Sequence, residues 1–214
     1  MSEVLSPKSK TKIIGLTGPI GAGKDVVAKL LAKQGAYIID ADKLAHSLYP
    51  PQSTVWRSIV KEFGSRILKR GGEINRRKLA EIVFSNKHKL QTLNKIVHPA
   101  LKEKIRAILK EQGTRNTELG TQIVVNAAVL KEIGLLDVVD EVCVVMASKA
   151  TRLKRLLKKG LSKQVALKRI NAQLPHKDYL KIADVVIKNE GTVRQLKAKT
   201  YGVREKRLYY RTTF

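Results

Sequence analysis

The amino-acid sequence predicts an α/β fold: one parallel sheet of about five strands with helices on both of its faces. Five short apolar runs each have the length of a buried strand, and segments with apolar residues at helical spacing lie between them. Strands that alternate with helices pair in parallel, because a parallel crossover needs a helix-length connection. The hydrophobic fraction of 43% in 214 residues suffices for a core and excludes a disordered chain.

The predicted elements follow one another without an internal repeat or a low-complexity linker. Runs rich in Val and Ile predict strands over 12–17, 36–39, 123–125, 141–145 and 183–187. Helical spacing predicts helices over 26–33, 41–48, 54–63, 76–84, 87–96, 99–110, 150–158, 162–174 and 193–210. Residues 47–111 contain only helical patterns and are too many for a simple crossover. We therefore expect a helical subdomain inserted into a single domain, 12–214, which follows a basic and flexible leader, 1–11.

The net charge is strongly positive, because 43 lysines and arginines against 18 acids give +25. Such a field attracts polyanions in general, whether nucleic acids, acidic lipids or phosphorylated metabolites. A lysine-rich source composition explains the charge equally well. Aromatic residues make up only 5% of the chain, and the best basic and aromatic cluster is confined to residues 206–211. We expect contact with nucleic acids to be non-specific, through net charge alone.

The compartment is predicted from what the sequence lacks. No apolar stretch approaches the roughly 20 residues of a membrane span, and the first residues lack the apolar core of a signal peptide. The single cysteine, Cys143, excludes an intramolecular disulfide and a cysteine-rich zinc site. Its apolar neighbours favour a buried structural thiol over a nucleophile. We expect a cytoplasmic protein with no membrane partner, and the oligomeric state stays open.

A glycine-rich segment after the first predicted strand matches the phosphate-loop pattern G-x-x-x-x-G-K. Glycines let successive backbone N–H groups point at phosphate oxygens, the following helix adds its positive N-terminal end, and the lysine adds a point charge. The strand before and the helix after this loop predict a P-loop NTPase-type fold that binds ATP. The residues expected to contact the nucleotide are Gly18, Pro19, Ile20, Gly21, Ala22, Gly23, Lys24, Asp25 and Val26.

Asp25 departs from the pattern, which has Ser or Thr after the lysine so that a hydroxyl can bind Mg²⁺. A carboxylate is a stronger ligand for a hard cation, but it places a negative charge beside a triphosphate. Asp25 is therefore either a Mg²⁺ ligand or a residue that disables the metal site. A third alternative is that Asp25 caps the helix that follows.

Asp40 and Asp42 follow the second predicted strand directly. Ligands of such sheets bind at the carboxyl ends of the strands, so Asp40 is placed to orient a hydroxyl or to accept its proton. The alternative is that these two aspartates only cap the next helix, and for Asp42 this is the more natural interpretation.

The chain resembles the dephospho-coenzyme A kinase family over about residues 12–204. The phosphate loop alone is generic, but the set of motifs in this order is specific. The resemblance rests on the opening 15–24, the acidic motif 40–42 with Ala45 and His46, the segments 75–79 and 97–99, the segments 153–155, 160–162 and 168–173, and the last strand and turn, 183–191.

The resemblance implies transfer of the γ-phosphoryl group of ATP to the ribose 3′-hydroxyl of dephospho-coenzyme A, with Mg²⁺ as the cofactor. It implies a nucleotide-binding core (12–46, 112–149 and 175–214), a substrate subdomain (47–111) and a lid (150–174). In the core, Lys24 would hold phosphates and Asp40 would act on the hydroxyl. The lid would contribute Arg155 and Arg169. Asn189 and Gly191 would border the adenine. The residues expected to contact the acceptor are Asp40, Asp42, Arg76, Arg77 and His98. For His98, a cap on a helix beginning at Pro99 is the alternative.

A second departure follows the third predicted strand, where the family usually reads D-x-P and this chain has Asn126 and Ala128. One hypothesis is a compensating exchange, in which the carboxylate moved from position 126 to Asp25. The contrary hypothesis is a nucleotide-binding homologue that has lost catalysis. A kinase of another small hydroxyl acceptor is a further alternative, because the helical insertion matches the family only at a few positions.

Overall fold

The computed structural model describes residues 11–115 and 122–204. Five strands form one sheet in the order β2-β3-β1-β4-β5, and every pairing is parallel. This confirms the predicted α/β fold with a five-stranded parallel sheet. The strands are β1 (Lys12–Thr17), β2 (Tyr37–Asp40), β3 (Gln122–Asn126), β4 (Glu141–Met146) and β5 (Val185–Lys188).

The helices largely follow the predicted segments, and four of them begin at Ser or Asn side chains that cap the backbone. One turn of 3₁₀ helix, Ser65–Ile67, lies in the insertion. The helices are α1 (Lys24–Ala32), α2 (Ala41–Ser47), α3 (Thr54–Phe63), α4 (Arg76–Phe84), α5 (Lys87–Arg115), α6 (Lys149–Lys158), α7 (Lys163–Asn171), α8 (His176–Lys181) and α9 (Val193–Arg204).

Helix α5 corrects the prediction of two helices separated before Pro99. It runs unbroken through this proline, so no helix begins there and the capping role considered for His98 is wrong. Proline lacks the N–H that would complete one helical hydrogen bond. On either side of it, however, Val97, Leu101 and Ile105 are buried at helical spacing, and their packing keeps the helix continuous. The predicted helix 162–174 is also too long, and the short α8 was not predicted.

Apolar side chains pack on both faces of the sheet. On one face, Ile14 and Leu16 of β1 pack with Val27 and Leu31 of α1 and with Leu196 of α9. On the other face, α5 and the segment between β3 and β4 form a second cluster. The helices 54–84 have an apolar cluster of their own, centred on Ile59, Phe63, Ile67, Leu79 and Val83, and α5 belongs to this cluster as well as to the second.

Cys143 lies in the centre of this core on β4. It is fully buried, and burial raises the pKa of its thiol to about 12. The thiol therefore stays protonated and serves packing.

Within the described ranges, no helix combines the length and the apolar character that crossing a membrane requires. Two of the predicted features, the basic leader up to residue 10 and the cluster 206–211, lie outside those ranges.

Candidate active site

The phosphate loop joins β1 to α1 in the centre of the sheet, where β1 lies between β3 and β4. Two of its glycines are required by the space around them. A Cβ on Gly18 would collide with the backbone oxygen of Val145, and one on Gly23 would collide with the side-chain amide of Asn189. Gly23 also has a φ of 102°, which disfavours other residues. The loop therefore takes a compact course at the carboxyl edge of the sheet.

Lys24 is the buried cation of this loop, with only 8% of its surface exposed. Its Nζ donates hydrogen bonds to Oδ1 of Asn126 at 2.8 Å and to Oδ1 of Asp25 at 3.1 Å. Oδ2 of Asp42 lies 3.7 Å away. The ammonium group thus stands between the ends of β1, β2 and β3, where a phosphate group on the loop would meet it.

Asp25 does not cap α1, because Gly23 occupies the N-cap position and no side chain bonds there. Its Oδ1 accepts hydrogen bonds from Lys24 and from Nδ2 of Asn126 at 3.3 Å. Burial raises the pKa of this carboxyl, but the charge and hydrogen bonds of Lys24, the Asn126 amide and the charge of Lys159 together hold it below its ordinary value. Asp25 therefore carries a full negative charge beside the loop.

Asp40 ends β2, and it is paired in register with Asn126 of the neighbouring strand. Its Oδ1 caps α2 by accepting a hydrogen bond from the backbone N–H of Lys43 at 3.0 Å. The capping alternative is thus realised by Asp40, whereas Asp42 approaches Lys24. Oδ2 of Asp40 lies 3.6 Å from Nζ of Lys43, a side chain that is 85% exposed and free to turn away. One carboxylate oxygen of Asp40 is therefore accessible at the same edge as the loop.

Two arginines of α6 hold the phosphate loop from the opposite side. Arg155 donates to the backbone oxygens of Gly21 (3.3 Å) and Ala22 (3.1 Å), and its other nitrogen donates to both oxygens of Asn189. Arg152 donates to the backbone oxygen of Ile20 at 2.8 Å. Helix α6 is thereby fixed to the loop and to the turn after β5.

The turn after β5 connects the loop to helix α6. Nδ2 of Asn189 donates to the backbone oxygen of Ala22 at 2.7 Å. The carboxylate of Glu190 accepts hydrogen bonds from the backbone N–H and hydroxyl of Ser148 and from the hydroxyl of Thr151. Gly191 follows in the same turn, so this segment lies beside the loop and the first turn of α6.

Arg76 lies at the start of α4, in a cavity of about 560 Å³ between α2 and the insertion. Its guanidinium group donates to the backbone oxygen of His46 at 3.4 Å. Burial and the positive charge of Arg76 lower the pKa of His46, so this imidazole is neutral at pH 7. Arg77 borders the same cavity but points to solvent and pairs with Glu81. Lys69 also lines the cavity but pairs with Glu73, so Arg76 is the cation best placed for a phosphorylated ligand.

Two predicted site residues lie apart from this group. Nδ1 of His98 bonds to the backbone oxygen of Glu132 at 3.0 Å, in a separate hollow that Lys102 and Arg106 also border. Arg169 is exposed on α7. The structure therefore brings together Lys24, Asp25, Asp40, Asp42, Asn126, Arg155 and Asn189, whereas His98 and Arg169 are outside the cluster.

Four further polar residues at this site were missed by the sequence analysis. Gln173 accepts hydrogen bonds from Arg152 and from the backbone N–H of Ile20, Glu190 binds α6, and the charge of Lys159 reaches Asp25. Arg152 lies three residues before Arg155, so helical spacing could have found it. Gln173 and Glu190 lie in the motif segments 168–173 and 183–191, but their contacts were not predicted because the partners are distant along the chain.

A lysine-bearing phosphate loop beside acidic strand ends, covered by a helix that carries arginines, defines a P-loop kinase. A shikimate kinase from Acinetobacter baumannii shares the fold, with a TM-score of 0.51 at 17% identity, covering 93% of this chain and 95% of that one. A sequence model of the family described as dephospho-CoA kinase matches residues 12–195. The chain belongs to the dephospho-CoA kinase family.

Curated relatives and solved structures agree with this assignment. The chain is 38% identical to a dephospho-CoA kinase of Carboxydothermus hydrogenoformans over 91% of its own length and 93% of that protein. It is 40% identical to one of Aquifex aeolicus over 86% and 91%. The structure of dephospho-CoA kinase from Campylobacter jejuni matches with a TM-score of 0.66 at 26% identity, covering 92% of this chain and 98% of that one. The resemblance stated from the motifs is thus confirmed.

Proposed function

We propose that this chain transfers the γ-phosphoryl group of ATP to the ribose 3′-hydroxyl of dephospho-CoA, giving CoA and ADP. The observation that carries the proposal is the juxtaposition of Lys24 on the phosphate loop with two acidic side chains, Asp40 and Asp42, from the end of β2. A P-loop kinase needs both a grip on the triphosphate and a group that directs the attacking hydroxyl. Membership of the family supports dephospho-CoA as the acceptor.

The nucleotide is held by the backbone amides of residues 18–24, the N-terminal end of α1 and the ammonium group of Lys24. Asn189 and Gly191 border the adenine, since they follow β5 next to the loop. Residues 18–26 together form the ATP contact surface.

Mg²⁺ is the cation that fits the acids beside the loop. The carboxylate of Asp25 offers hard oxygen ligands, and its side chain is 71% exposed. Among the described residues, no three His, Cys, Asp or Glu side chains form a preformed metal cluster. Asp25 would hold the cation jointly with the phosphates of the nucleotide. When bound, Mg²⁺ supplies neutralisation of charge on the β- and γ-phosphates.

Asp40 directs the acceptor. Its accessible carboxylate oxygen takes the proton of the 3′-hydroxyl while the hydroxyl oxygen attacks the γ-phosphorus in line with the leaving ADP. Asp42 lies two residues further, in the first turn of α2, and adds a second polar contact. The cavity at Arg76 receives a phosphate of the acceptor, and Arg77 and His98 remain predictions as contacts for its other parts.

The lid supplies further positive charge. Arg155 is already at the loop and the charge of Lys159 reaches Asp25, whereas Arg169 is exposed on α7, outside the cluster. Closure of this lid over the nucleotide excludes water and brings Arg169 to the transferring group. The cytoplasmic setting stays a prediction.

The test is an assay of ADP release by the purified protein, with and without dephospho-CoA and Mg²⁺. We expect ADP formation that requires both. Nucleosides, nucleoside monophosphates and shikimate serve as alternative acceptors at equal concentration. Turnover that is faster with one of these acceptors would contradict the assignment of dephospho-CoA, and turnover near zero with every acceptor would favour a nucleotide-binding homologue without catalysis.

Replacement of Arg76 by alanine is expected to raise the KM for dephospho-CoA by ~10-fold or more, because the charged hydrogen bond to a phosphate is lost. The KM for ATP should not change, since Arg76 lies away from the phosphate loop. Steady-state kinetics with each substrate varied in turn measures both constants. Arg57→Ala, which removes an exposed arginine of α3, is the matched control. An equal effect of the two variants would remove Arg76 from the acceptor site.

Replacement of Glu190 by alanine is expected to loosen the first turn of α6, because three hydrogen bonds to Ser148 and Thr151 are lost. Amide hydrogen exchange in residues 148–158 should become faster. The KM for ATP should rise by about 3-fold or more. Exchange measured by mass spectrometry checks the first effect. Glu81→Ala, which breaks an exposed ion pair of α4, should leave exchange in 148–158 unchanged. Unaltered exchange in the Glu190 variant would show that this contact does not fix the lid.

A further inference from the structure

Three polar side chains surround the ammonium group of Lys24. It donates hydrogen bonds to Asn126 at 2.8 Å and to Asp25 at 3.1 Å, and Asp42 lies 3.7 Å away, within ion-pair distance. Lys24 is buried, so these side chains replace its contact with water. A triphosphate on the loop competes with these acceptors for the positive charge of Lys24.

Asp25 is the acceptor that is affected most when a triphosphate binds Lys24. One oxygen of its carboxylate binds both Lys24 and the amide of Asn126. When Lys24 turns to a phosphate, Asp25 keeps a neutral amide partner and the more distant charge of Lys159. The negative charge of Asp25 then faces the negative charge of the triphosphate at the first turn of α1. A serine or threonine at this position would add no such charge.

A divalent cation removes the conflict, because it attracts the carboxylate and the phosphates at once. The amide of Asn126 gives no competing negative charge on the other wall of the site. Asp25 is the carboxylate that directly follows Lys24, and its side chain is 71% exposed to an approaching cation.

We propose that Asp25 couples the binding of ATP to the binding of a divalent cation, by opposing the metal-free triphosphate and by ligating the cation of the metal-bound one. This inference rests on the proposed function only in taking ATP as the nucleotide. Coupling is reciprocal, so ATP must raise the affinity of the site for the cation by the same factor. The contact of Lys24 with Asp25 thus makes the loop selective for nucleotide that arrives with its metal.

The experiment measures the dissociation constant of ATP by calorimetry, with saturating Mg²⁺ and with EDTA, at constant ionic strength. The proteins are the unaltered chain, Asp25→Ser and Asp25→Asn. Removal of Mg²⁺ should weaken ATP binding to the unaltered chain by ~10²-fold, and to both variants by only ~10-fold or less. In EDTA, both variants should bind ATP more tightly than the unaltered chain. The asparagine variant preserves side-chain size, and thermal unfolding shows that each variant is folded.

A matched control removes an aspartate of the same charge at the opposite edge of the sheet. Asp137 pairs with Lys102 and Arg106 ahead of β4, and Asp137→Asn should keep the coupling of the unaltered chain. The double variant Asp25→Ser/Asn126→Asp, which returns the carboxylate to the other wall beside Lys24, should recover the coupling.

The outcomes separate this inference from the proposed function. Equal Mg²⁺ effects in the unaltered chain and in both Asp25 variants would overturn the coupling while leaving the kinase assignment intact. Failure of the unaltered chain to bind ATP with Mg²⁺ would overturn both. A double variant no better than Asp25→Ser would contradict the equivalence of the two positions.

Discussion

Replacement of Asp40 by asparagine is expected to lower kcat for phosphorylation of dephospho-CoA by ~10³-fold or more, because the only group proposed to take the proton of the hydroxyl is lost. The affinity for ATP should stay within about twofold, since the phosphate loop and Lys24 are untouched. Rapid-quench measurement of ADP formation gives the rate of transfer, and calorimetry gives the affinity.

Asp40→Asn removes the carboxylate of Asp40 but preserves the helix cap that this residue forms. Asparagine caps a helix about as well as aspartate, so its side-chain oxygen can still accept the hydrogen bond from the N–H of Lys43. Asp40→Ala removes the cap as well and should lower the free energy of unfolding by about 1 kcal/mol. If Asp40→Asn transfers phosphate at a normal rate, Asp40 is only a cap. If it loses ATP binding, its role is structural.

Replacement of Arg155 by alanine is expected to lower kcat by ~10²-fold, with a smaller change in the KM for ATP. Its guanidinium group bridges the backbone oxygens of the phosphate loop and both oxygens of Asn189, so it fixes the surface on which the γ-phosphate must be aligned. Arg155→Lys should rescue little activity, because one ammonium group cannot span the loop and the turn together.

The same loss of ~10²-fold in kcat is expected for Arg169→Ala, for a different reason: Arg169 is exposed on α7 and acts only when the lid closes. Arg169→Lys should recover part of the rate, since charge near the transferring group is what matters there. Lys168→Ala, which removes the neighbouring exposed cation of the same helix, is the control. Equal and small effects of Arg169→Ala and Lys168→Ala would exclude Arg169 from the reaction.

The sequence alone sufficed for the sheet and for the phosphate loop, because both depend on residues that are contiguous in the chain. Each strand is a short apolar run, and the loop is a fixed spacing of glycines and Lys24 between a strand and a helix. The position of Asp40 followed from the same logic, since the carboxyl ends of parallel strands share one edge.

Features that depend on packing between distant segments escaped prediction. Whether α5 breaks at Pro99 depends on two apolar clusters that only the folded chain assembles. The contacts of Arg152 with Gln173 and of Glu190 with Ser148 join residues 21 and 42 positions apart. No local pattern encodes such pairs, so the way the lid is attached to the loop had to come from the structure.

We propose that the edge of the sheet at Lys24 and Asp40 directs the 3′-hydroxyl of dephospho-CoA to the terminal phosphate of ATP. Phosphorus–proton correlation NMR of the product formed from Mg²⁺, ATP and dephospho-CoA tests it most directly. We expect a new phosphomonoester whose phosphorus couples to the ribose 3′ proton, with one ADP for each product molecule. A phosphate on a different hydroxyl, or ADP accompanied only by inorganic phosphate, would contradict it.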